Sequence, residues 1–207
     1  MGVRKMKKTI ITVQHTESEH HLNGHAGAWG NWQLTENGRN QAFEIGKWLL
    51  GEGCADGFVM YTSDLARAFQ TAEEINKTLH LTPVISELIR EVNAGVGNGK
   101  PWDWFDEHKI KPGEGYDPDY RPFDDAESDR DLWNRIKPFY EKIISDPDEK
   151  ILIVSHGCTL GFLQAMIMGF EFEDLSKARF SGRSGSISKF ILGSDGRVTA
   201  NYINFRL

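Results

Sequence analysis

The chain predicts an α/β fold: a three-layer α/β/α sandwich with a largely parallel central sheet. Short apolar runs typical of buried strands alternate with stretches of helical periodicity along the sequence. Two of these runs end in a histidine, His15 and His156, as expected where the strands of an open sheet meet a ligand crevice. The 207 residues are enough for one core without disulfide or metal support. We therefore predict a single domain over residues 1–207.

The first half of the chain alternates between predicted strands and predicted helices. Thr35 has the side chain of an N-cap and precedes a stretch with apolar residues on one helical face, which Gly51 ends. Ser63 is predicted to cap the next helix in the same way. In order, the predicted elements are a strand at 8–13, a helix at 35–50, a strand at 58–61, a helix at 63–79 and a strand at 84–88.

From about residue 95 to residue 125 the regular pattern breaks, and we predict an insertion that forms a lid or a side wall. This segment contains several aromatic residues among acids, glycines and prolines. We expect its rings to divide between a small satellite core and the wall of a ligand pocket. Beyond it, the predicted elements are a helix at 128–144, a strand at 151–155, a helix that ends at 168 and a terminal hairpin formed by 186–192 and 197–205.

Charge and cysteine content narrow the classes of function. The net charge of -6 disfavours a general nucleic-acid binder, because such proteins present a basic face. Cys54 and Cys158 show neither metal-ligand spacing nor a disulfide framework, which favours a reducing compartment. Residues 1–8 are basic but precede no apolar signal core, and no apolar run is long enough to span a membrane. We therefore expect a cytoplasmic protein without a nucleic-acid or membrane partner.

Two imidazoles are predicted to meet at one edge of the sheet. His15 and His156 each follow a strand-like run, although nearly the whole chain separates them. If these two strands are adjacent and parallel, their carboxyl ends open into the same crevice. A pair of imidazoles there suits phosphoryl transfer, with one ring as the nucleophile and the other as a charge partner.

Five motifs carry further residues that suit this chemistry. They are Gln14-His15-Thr16, Leu34-Thr35-Glu36-Asn37-Gly38-Arg39-Asn40-Gln41-Ala42, the block from Ser63 to Ala72, Ile89-Arg90-Glu91, and Ser155-His156-Gly157. In this order they resemble the motifs of the histidine phosphatase superfamily, in its phosphoglycerate-mutase-like branch. The block from Ser63 to Ala72 is similar to the family's Ser-x-Leu-x-Arg-Ala-x-Gln-Thr-Ala almost residue for residue.

The resemblance implies a metal-independent phosphomonoesterase that needs no cofactor. His15 would be the nucleophile and would carry the phosphoryl group as phosphohistidine, which divides one displacement into two. Arg67 and His156 would hold the phosphoryl oxygens. Glu91 would protonate the leaving oxygen. The partner is then a small phosphorylated substrate, and a homodimer is compatible with this interpretation.

The first motif departs from the family pattern on both sides of the histidine. The family's Arg-His-Gly is here Gln14-His15-Thr16, so an uncharged amide stands where the family has a cationic phosphate clamp. Losing one transition-state donor costs about 2.7–4 kcal/mol. The sequence leaves the replacement cation open, and the candidates are Arg90, Lys100, Arg121 and Arg183.

Five residues are predicted to contact the phosphate: Gln14, Thr16, His21, Gly157 and Cys158. His21 stands at the spacing of an asparagine that often follows the family's first motif. Cys158 also fits a small core residue at the start of a helix. A metal site built from His15, His20, His21, His25 and Glu17 is disfavoured, because the sequence has neither two histidines at metal-binding helical spacing nor a Cys-x-x-Cys pattern.

Two other functions stay open beside the phosphatase. The change at Gln14 also fits a catalytically impaired protein of the same fold that binds a phosphate ligand or regulates. A phosphotransferase of the phosphoglycerate-mutase type would share the site. It is less favoured, since the opening motif lacks the mutases' features and a mutase must retain its charged intermediate.

Overall fold

A six-stranded sheet forms the centre of the computed structural model, which describes residues 7–207. From edge to edge the strand order is β3 (Val84–Ile85), β2 (Phe58–Thr62), β4 (Lys150–Ser155), β1 (Lys8–Gln14), β5 (Ile187–Leu192) and β6 (Val198–Phe205). The first four strands in sequence are mutually parallel, and the last two form an antiparallel hairpin at the edge, as predicted.

Helices cover both faces of the sheet, which confirms the three-layer α/β fold. Ile10 of β1 belongs to a buried cluster with Ile136, on α5 (Asp129–Ser145), and Leu163, on α6 (Gly157–Ile167). The next residue, Ile11, belongs to a cluster on the opposite face with Ile75 of α3, as the two-residue period of a strand requires. The helices are α1 (Glu19–Asn23), α2 (Glu36–Gly51), α3 (Ala66–Leu79), α4 (Trp102–His108), α5 (Asp129–Ser145) and α6 (Gly157–Ile167).

Of the two helix N-caps predicted from the sequence, the structure contains one. The Thr35 hydroxyl caps α2 by accepting from the Gly38 backbone N–H at 2.9 Å. The predicted cap at Ser63 is wrong: α3 begins at Ala66, and the Ser63 hydroxyl instead lies 2.9 Å from a ring nitrogen of His156. A serine before a helical pattern can cap the helix, or its hydroxyl can bind a residue far away in the sequence. The sequence alone does not distinguish these two roles.

One predicted strand is shorter than expected, and two helices were not predicted. The predicted strand at 84–88 ends at Ile85, and a 3₁₀ turn follows it at Glu87–Ile89. The five-residue α1 and the seven-residue α4 lie in segments predicted to be irregular. Such short helices span too few turns to show a periodic pattern, and isolated helices of this length are marginal. Their formation depends on packing against the rest of the chain.

The segment at 95–125 lies beside the carboxyl edge of the parallel strands. Within it, the rings of Phe105 and Phe123 pack edge to face with centroids 5.0 Å apart, and Phe123 is buried. Trp102 is 48% exposed. The aromatic residues thus divide between a small packed cluster and an open wall. No helix among residues 7–207 is both long and apolar enough to cross a bilayer.

Candidate active site

Two histidines meet at the carboxyl edge of the sheet because β1 and β4 are adjacent and parallel. Gln14 pairs with Ser155, and the backbone N–H of His15 donates to the Ser155 carbonyl oxygen at 2.8 Å. The ring centroids of His15 and His156 are 5.2 Å apart. Both residues are buried, with exposures of 3% and 0%. The structure therefore brings together the two imidazoles that the sequence placed at strand ends.

His15 is held as a neutral ring in one tautomer. Its Nδ1 lies 2.9 Å from the carbonyl oxygen of Thr16. A carbonyl oxygen only accepts, so Nδ1 carries the proton and Nε2 keeps its lone pair. Burial, and then the charge of Arg67, lowers the pKa of His15 well below its ordinary value. A neutral imidazole with an available lone pair is the form that can attack phosphorus.

Arg67 lies beside that lone pair. Its Nε donates to His15 Nε2 at 3.2 Å. Its two terminal nitrogens donate to the backbone oxygens of Gly30, at 3.2 Å, and Ala28, at 2.7 Å. Burial lowers the pKa of Arg67 to about 10, which still leaves the guanidinium charged at pH 7. The loop between α1 and α2 thus fixes a buried cation next to the candidate nucleophile.

Glu91 is positioned by backbone donors on two segments. Its Oε1 accepts from the N–H of Val92 at 2.9 Å and from the N–H of Thr159 at 3.3 Å. Its Oε2 accepts from the N–H of Cys158 at 3.2 Å. The last two donors lie in the first turn of α6, where free N–H groups favour an acceptor. The carboxyl group is therefore held at the wall of the cavity that also contains His15 and Arg67.

His156 has one ring nitrogen with a partner and one without. Its Nε2 lies 2.9 Å from the Ser63 hydroxyl oxygen. Its Nδ1 is buried and has no hydrogen-bond partner among residues 7–207. Burial, followed by the charges of Arg67 and His15, lowers its pKa well below the ordinary value. A buried polar atom without a partner costs about 1–3 kcal/mol, so this nitrogen is suited to a polar group of a ligand.

Two further histidines extend the cluster from α1. The ring of His21 stacks on His15 with centroids 5.5 Å apart, and the ring of His20 lies 5.7 Å from it. The backbone N–H of Ser18 donates to His21 Nδ1 at 3.1 Å. In the neutral ring the proton must then lie on Nε2. Burial, and then Arg67, lowers the pKa of His21, so His21 presents a neutral N–H donor near His15.

These lowered pKa values predict an acid-sensitive fold. His15 and His156 remain neutral in the folded protein but protonate in the unfolded chain below about pH 6.5. The unfolded state then binds more protons, so the free energy of unfolding falls as the pH falls. Each of these two residues contributes up to about 1.4 kcal/mol per pH unit. Urea denaturation at pH 7.5, 6.5 and 5.5 measures this slope.

The control for this prediction is a histidine outside the cluster. His80 is exposed and occupies the left-handed C-cap of α3, a position that asparagine tolerates. We expect His80→Asn to keep the wild-type slope and His156→Asn to flatten it. Equal stability of the wild type at pH 7.5 and 5.5 would contradict the assignment of neutral buried imidazoles.

Of the five residues weighed as metal ligands, the structure gathers His15, His20 and His21. One ligand atom from each lies within 4.8 Å of the others. Two features disfavour a cation at this position. The Arg67 guanidinium donates to His15 Nε2, and the proton of neutral His21 lies on Nε2. The arrangement is better suited to an anion.

The residues next to His15 differ in their access to the cavity. Gln14 lines the cavity. Its amide lies close to two glycines. A Cβ atom added to Gly157 would lie 3.2 Å from Gln14 Nε2, and a Cβ atom added to Gly182 would lie 3.0 Å from Gln14 Oε1. Thr16 is fully buried, and both its N–H and its hydroxyl contact Thr71 Oγ1, at 3.1 and 3.3 Å. The predicted phosphate contact of Thr16 is therefore corrected: its N–H and hydroxyl are directed to α3, its carbonyl oxygen accepts from His15, and it does not line the cavity.

The two predicted phosphate contacts at the start of α6, Gly157 and Cys158, also differ in their access to the cavity. Cys158 lines the cavity, whereas Gly157 and His156 are not among its lining residues. The pKa of Cys158 is raised to about 12, first by the charge of Glu91 and then by burial. The thiol is therefore not a nucleophile at neutral pH. Its backbone N–H, which holds Glu91, is its contribution to the site.

None of the four cations proposed to replace the family arginine lines the cavity. Arg90 pairs with Asp64, and Arg121 pairs with Asp131 at 2.8 Å. Arg179 does line it, with Nη2 3.3 Å from Cys158 Sγ. Sequence reasoning missed Arg179 because it lies in an irregular segment between the 3₁₀ helix Phe172–Ser176 and β5, where no motif marks it.

The cavity has a volume of about 860 Å³. One part of its wall carries the polar groups described above, including His15, Arg67 and Glu91. The rest comes largely from the segment at 95–125, with Trp102 and Tyr120 among its lining residues. A volume in this range is typical of pockets that enclose a small organic ligand.

The structure is thus an α/β protein with paired histidines and an arginine at the carboxyl edge of its parallel strands, around a cavity suited to an anion. The family model described as the histidine phosphatase superfamily (branch 1) matches residues 10–204. The chain belongs to this superfamily. The resemblance found in the five sequence motifs is thereby confirmed.

Relatives of this chain include both phosphatases and mutases. A Schizosaccharomyces pombe protein named "Probable phosphatase" is 30% identical over 176 residues, which cover 78% of this chain and 57% of that protein, little more than half its length. A 2,3-bisphosphoglycerate-dependent phosphoglycerate mutase from Bartonella bacilliformis is 28% identical over 189 residues, 82% of this chain and 86% of that protein. The solved α-ribazole phosphatase of Shigella flexneri shares the fold, with a TM-score of 0.80 over 96% of both chains at 21% identity.

Proposed function

We propose that this protein is a metal-independent phosphatase that hydrolyses a phosphomonoester through a phosphohistidine on His15. The observation that carries the proposal is the state of that ring. It is neutral, its Nδ1–H is fixed on the Thr16 carbonyl, and its Nε2 lies beside the Arg67 guanidinium in a cavity. This combination supplies a nucleophile and a charge for the phosphoryl oxygens at one point.

In the first step, His15 Nε2 attacks phosphorus while the bond from phosphorus to the ester oxygen breaks. Arg67 moves its Nε–H from the nitrogen to a phosphoryl oxygen, and His21 donates from Nε2. The ring becomes cationic as the P–N bond forms, and the Thr16 carbonyl stabilises its Nδ1–H. Glu91 gives its proton to the departing alkoxide.

In the second step, water replaces the alcohol. The Glu91 carboxylate accepts a proton from that water, whose oxygen attacks phosphorus as the P–N bond breaks. Inorganic phosphate leaves, His15 returns to its neutral form, and Glu91 is protonated for the next cycle. We also assign two further polar groups to the phosphoryl oxygens: the Gln14 amide, which lines the cavity, and His156 Nδ1, which is buried next to His15 and has no partner among the described residues.

The second candidate function is a phosphate-ligand binding or regulatory protein with little turnover. It is favoured by one observation, the uncharged Gln14 where the family has arginine. Release of 4-nitrophenol from 4-nitrophenyl phosphate separates the two candidates. Turnover supports the phosphatase, whereas phosphate binding without turnover of any phosphomonoester in a broad panel supports the binder.

A mutase is less well supported by the cavity. Such an enzyme must hold a second anionic group while it retains the phosphorylated intermediate. Among the described residues that line the cavity, the lysines and arginines are Arg67, which we assign to the transferred group, and Arg179. The acids Asp117 and Asp129 lie in the same wall. Net hydrolysis is therefore the outcome that we propose.

We further propose a cytoplasmic location, a single domain and a small phosphorylated ligand. A cytoplasmic, single-domain phosphatase agrees with the net charge of -6 and with cysteines that form no disulfide. Its ligand is a small phosphorylated molecule, and neither a metal nor another cofactor is needed for the steps above. A homodimer is compatible with this assignment.

Restoring the family arginine should strengthen the site. We expect Gln14→Arg to raise kcat/KM for 4-nitrophenyl phosphate by about a hundredfold, because one charged donor in the transition state has an effect of this order. Gln14→Met, which keeps the volume but removes the amide, should lower it. If Gln14→Arg changes neither the rate nor the phosphate affinity, another cation already binds the phosphoryl oxygens in place of the family arginine. Arg179, which lines the cavity, is the candidate.

A further inference from the structure

The cavity offers much more room than a transferred phosphoryl group requires. Its volume of about 860 Å³ lies in the range of pockets that enclose a drug-sized ligand. The groups that we assign to the reaction lie at strand ends, in loops, and on α1 and the first turn of α3. We call the part of the remaining wall that is formed by Trp102, Phe105, Pro112, Tyr116, Tyr120 and Pro122 the outer chamber.

The rings of the outer chamber are held by the protein through their polar ends and edges. The Tyr116 hydroxyl donates to Asp129 Oδ2 at 3.2 Å, and the Tyr120 hydroxyl donates to the Ile110 carbonyl oxygen at 2.6 Å. Trp102 packs edge to face on Phe105 with centroids 5.2 Å apart. Because both hydroxyls have partners, the apolar ring surfaces are what these side chains offer a ligand.

Two of these rings are open to a large degree. Trp102 is 48% exposed and Tyr116 is 46% exposed. A ligand that covers large exposed apolar side chains in a cavity removes apolar surface from water, which favours its binding. A second ring stacked on an aromatic side chain adds about 0.5–1.5 kcal/mol beyond the buried area. The chamber therefore favours a planar, apolar group.

The charges in the outer wall disfavour a second anion. Arg179 is accompanied there by three acids, Asp117, Glu127 and Asp129. Glu127 is paired with Arg135 at 2.6 Å. The other two face the cavity with Arg179 as their cationic neighbour, so the net charge around a ligand in this region is not positive. An anionic group would meet repulsion as well as attraction.

We infer that the substrate is the phosphomonoester of an uncharged alcohol that carries an aromatic ring, which lies in the outer chamber while the phosphoryl group lies at His15. This inference rests on the proposed phosphatase activity and specifies its substrate class. The part of the chain from Trp102 to Pro122 then determines specificity. A ligand with a second phosphate or a carboxylate is discriminated against.

Two matched pairs of esters test the inference. The first compares 2-(2-naphthyl)ethyl phosphate with ethyl phosphate, which have similar leaving groups and differ by the ring. We expect kcat/KM to be at least tenfold higher for the ring-bearing ester, mainly through a lower KM, as apolar contacts in a pocket give. The second compares glycerol 3-phosphate with 3-phosphoglycerate, and we expect a preference of at least about fivefold for glycerol 3-phosphate, which lacks the carboxylate.

Variants assign these preferences to the chamber. Trp102→Ala should reduce the preference for the naphthyl ester to less than a third of its wild-type value. Asp129→Asn should raise kcat/KM for 3-phosphoglycerate relative to glycerol 3-phosphate, a gain that a misfolded variant cannot show. Phe43→Ala, which removes an exposed ring on α2 outside the cavity, should keep both preferences.

The outcomes distinguish this inference from the proposed function. Equal kcat/KM values within both pairs, or a preference for 3-phosphoglycerate, overturn the substrate class while leaving the phosphatase in place. Hydrolysis of 4-nitrophenyl phosphate but of none of the four esters also overturns the substrate class, whereas no hydrolysis of any of these five esters overturns the phosphatase itself. A naphthyl preference that Trp102→Ala leaves intact, in a variant with wild-type circular dichroism, overturns the location of the ring.

Discussion

Replacement of His15 by asparagine is expected to lower kcat for 4-nitrophenyl phosphate by at least about 10⁴-fold. Asparagine can still donate a hydrogen bond, but its amide nitrogen has no lone pair that can attack phosphorus. The rate that remains would come from Arg67 and the neighbouring donors, which bind phosphate without forming a covalent bond. Release of 4-nitrophenol measures kcat, and calorimetric titration with inorganic phosphate measures how much of the binding survives.

The intermediate gives an independent readout of the same prediction. Wild-type protein quenched in alkali after mixing with ³²P-labelled substrate should carry label on histidine, since phosphohistidine is stable to alkali and labile to acid. His20→Asn is the matched control, because His20 also lines the cavity and its ring lies 5.7 Å from His15. It should keep the label and lose no more than about tenfold in kcat. Label on any other side chain would refute His15 as the nucleophile.

The sequence predicts the frame of this site well because strand adjacency is a matter of topology. Two apolar runs that end in histidine are bound to converge if their strands are parallel neighbours, and β1 and β4 are. The block around Arg67 placed a guanidinium in the first turn of a helix, and the structure brings it to His15 at 3.2 Å. Such features depend on local pattern and on sheet order alone.

The details that decide chemistry depend on side-chain directions, which the sequence does not encode locally. Thr16 follows the nucleophile in the chain, yet its hydroxyl contacts Thr71 on α3. Ser63 has the sequence character of a helix cap but contacts His156. Arg179 reaches the cavity from a segment without periodicity. Each of these contacts joins residues far apart in sequence, so only the packed tertiary structure determines them.

Replacement of Glu91 by glutamine should separate the two chemical steps. An alkyl phosphate needs a proton on its leaving oxygen, so we expect its kcat to fall by about 10²–10⁴-fold, the usual contribution of a general acid. A 4-nitrophenolate leaves without a proton, so His15 should still be phosphorylated by the aryl ester. Hydrolysis of the phosphohistidine then lacks its base. The signature is a burst of one equivalent of 4-nitrophenol followed by a slow steady state.

A burst that the wild type does not show indicates that Glu91 acts after the aryl leaving group has departed. A merely structural effect of the variant would slow both steps together, and glutamine does remove one acceptor from the three N–H donors that hold the carboxyl group. Glu87→Gln, at an exposed carboxylate four positions earlier, provides the comparison and should leave both esters at wild-type rates. Equal losses on alkyl and aryl esters, without a burst, would remove Glu91 from proton transfer and leave it a role in positioning α6 against the site.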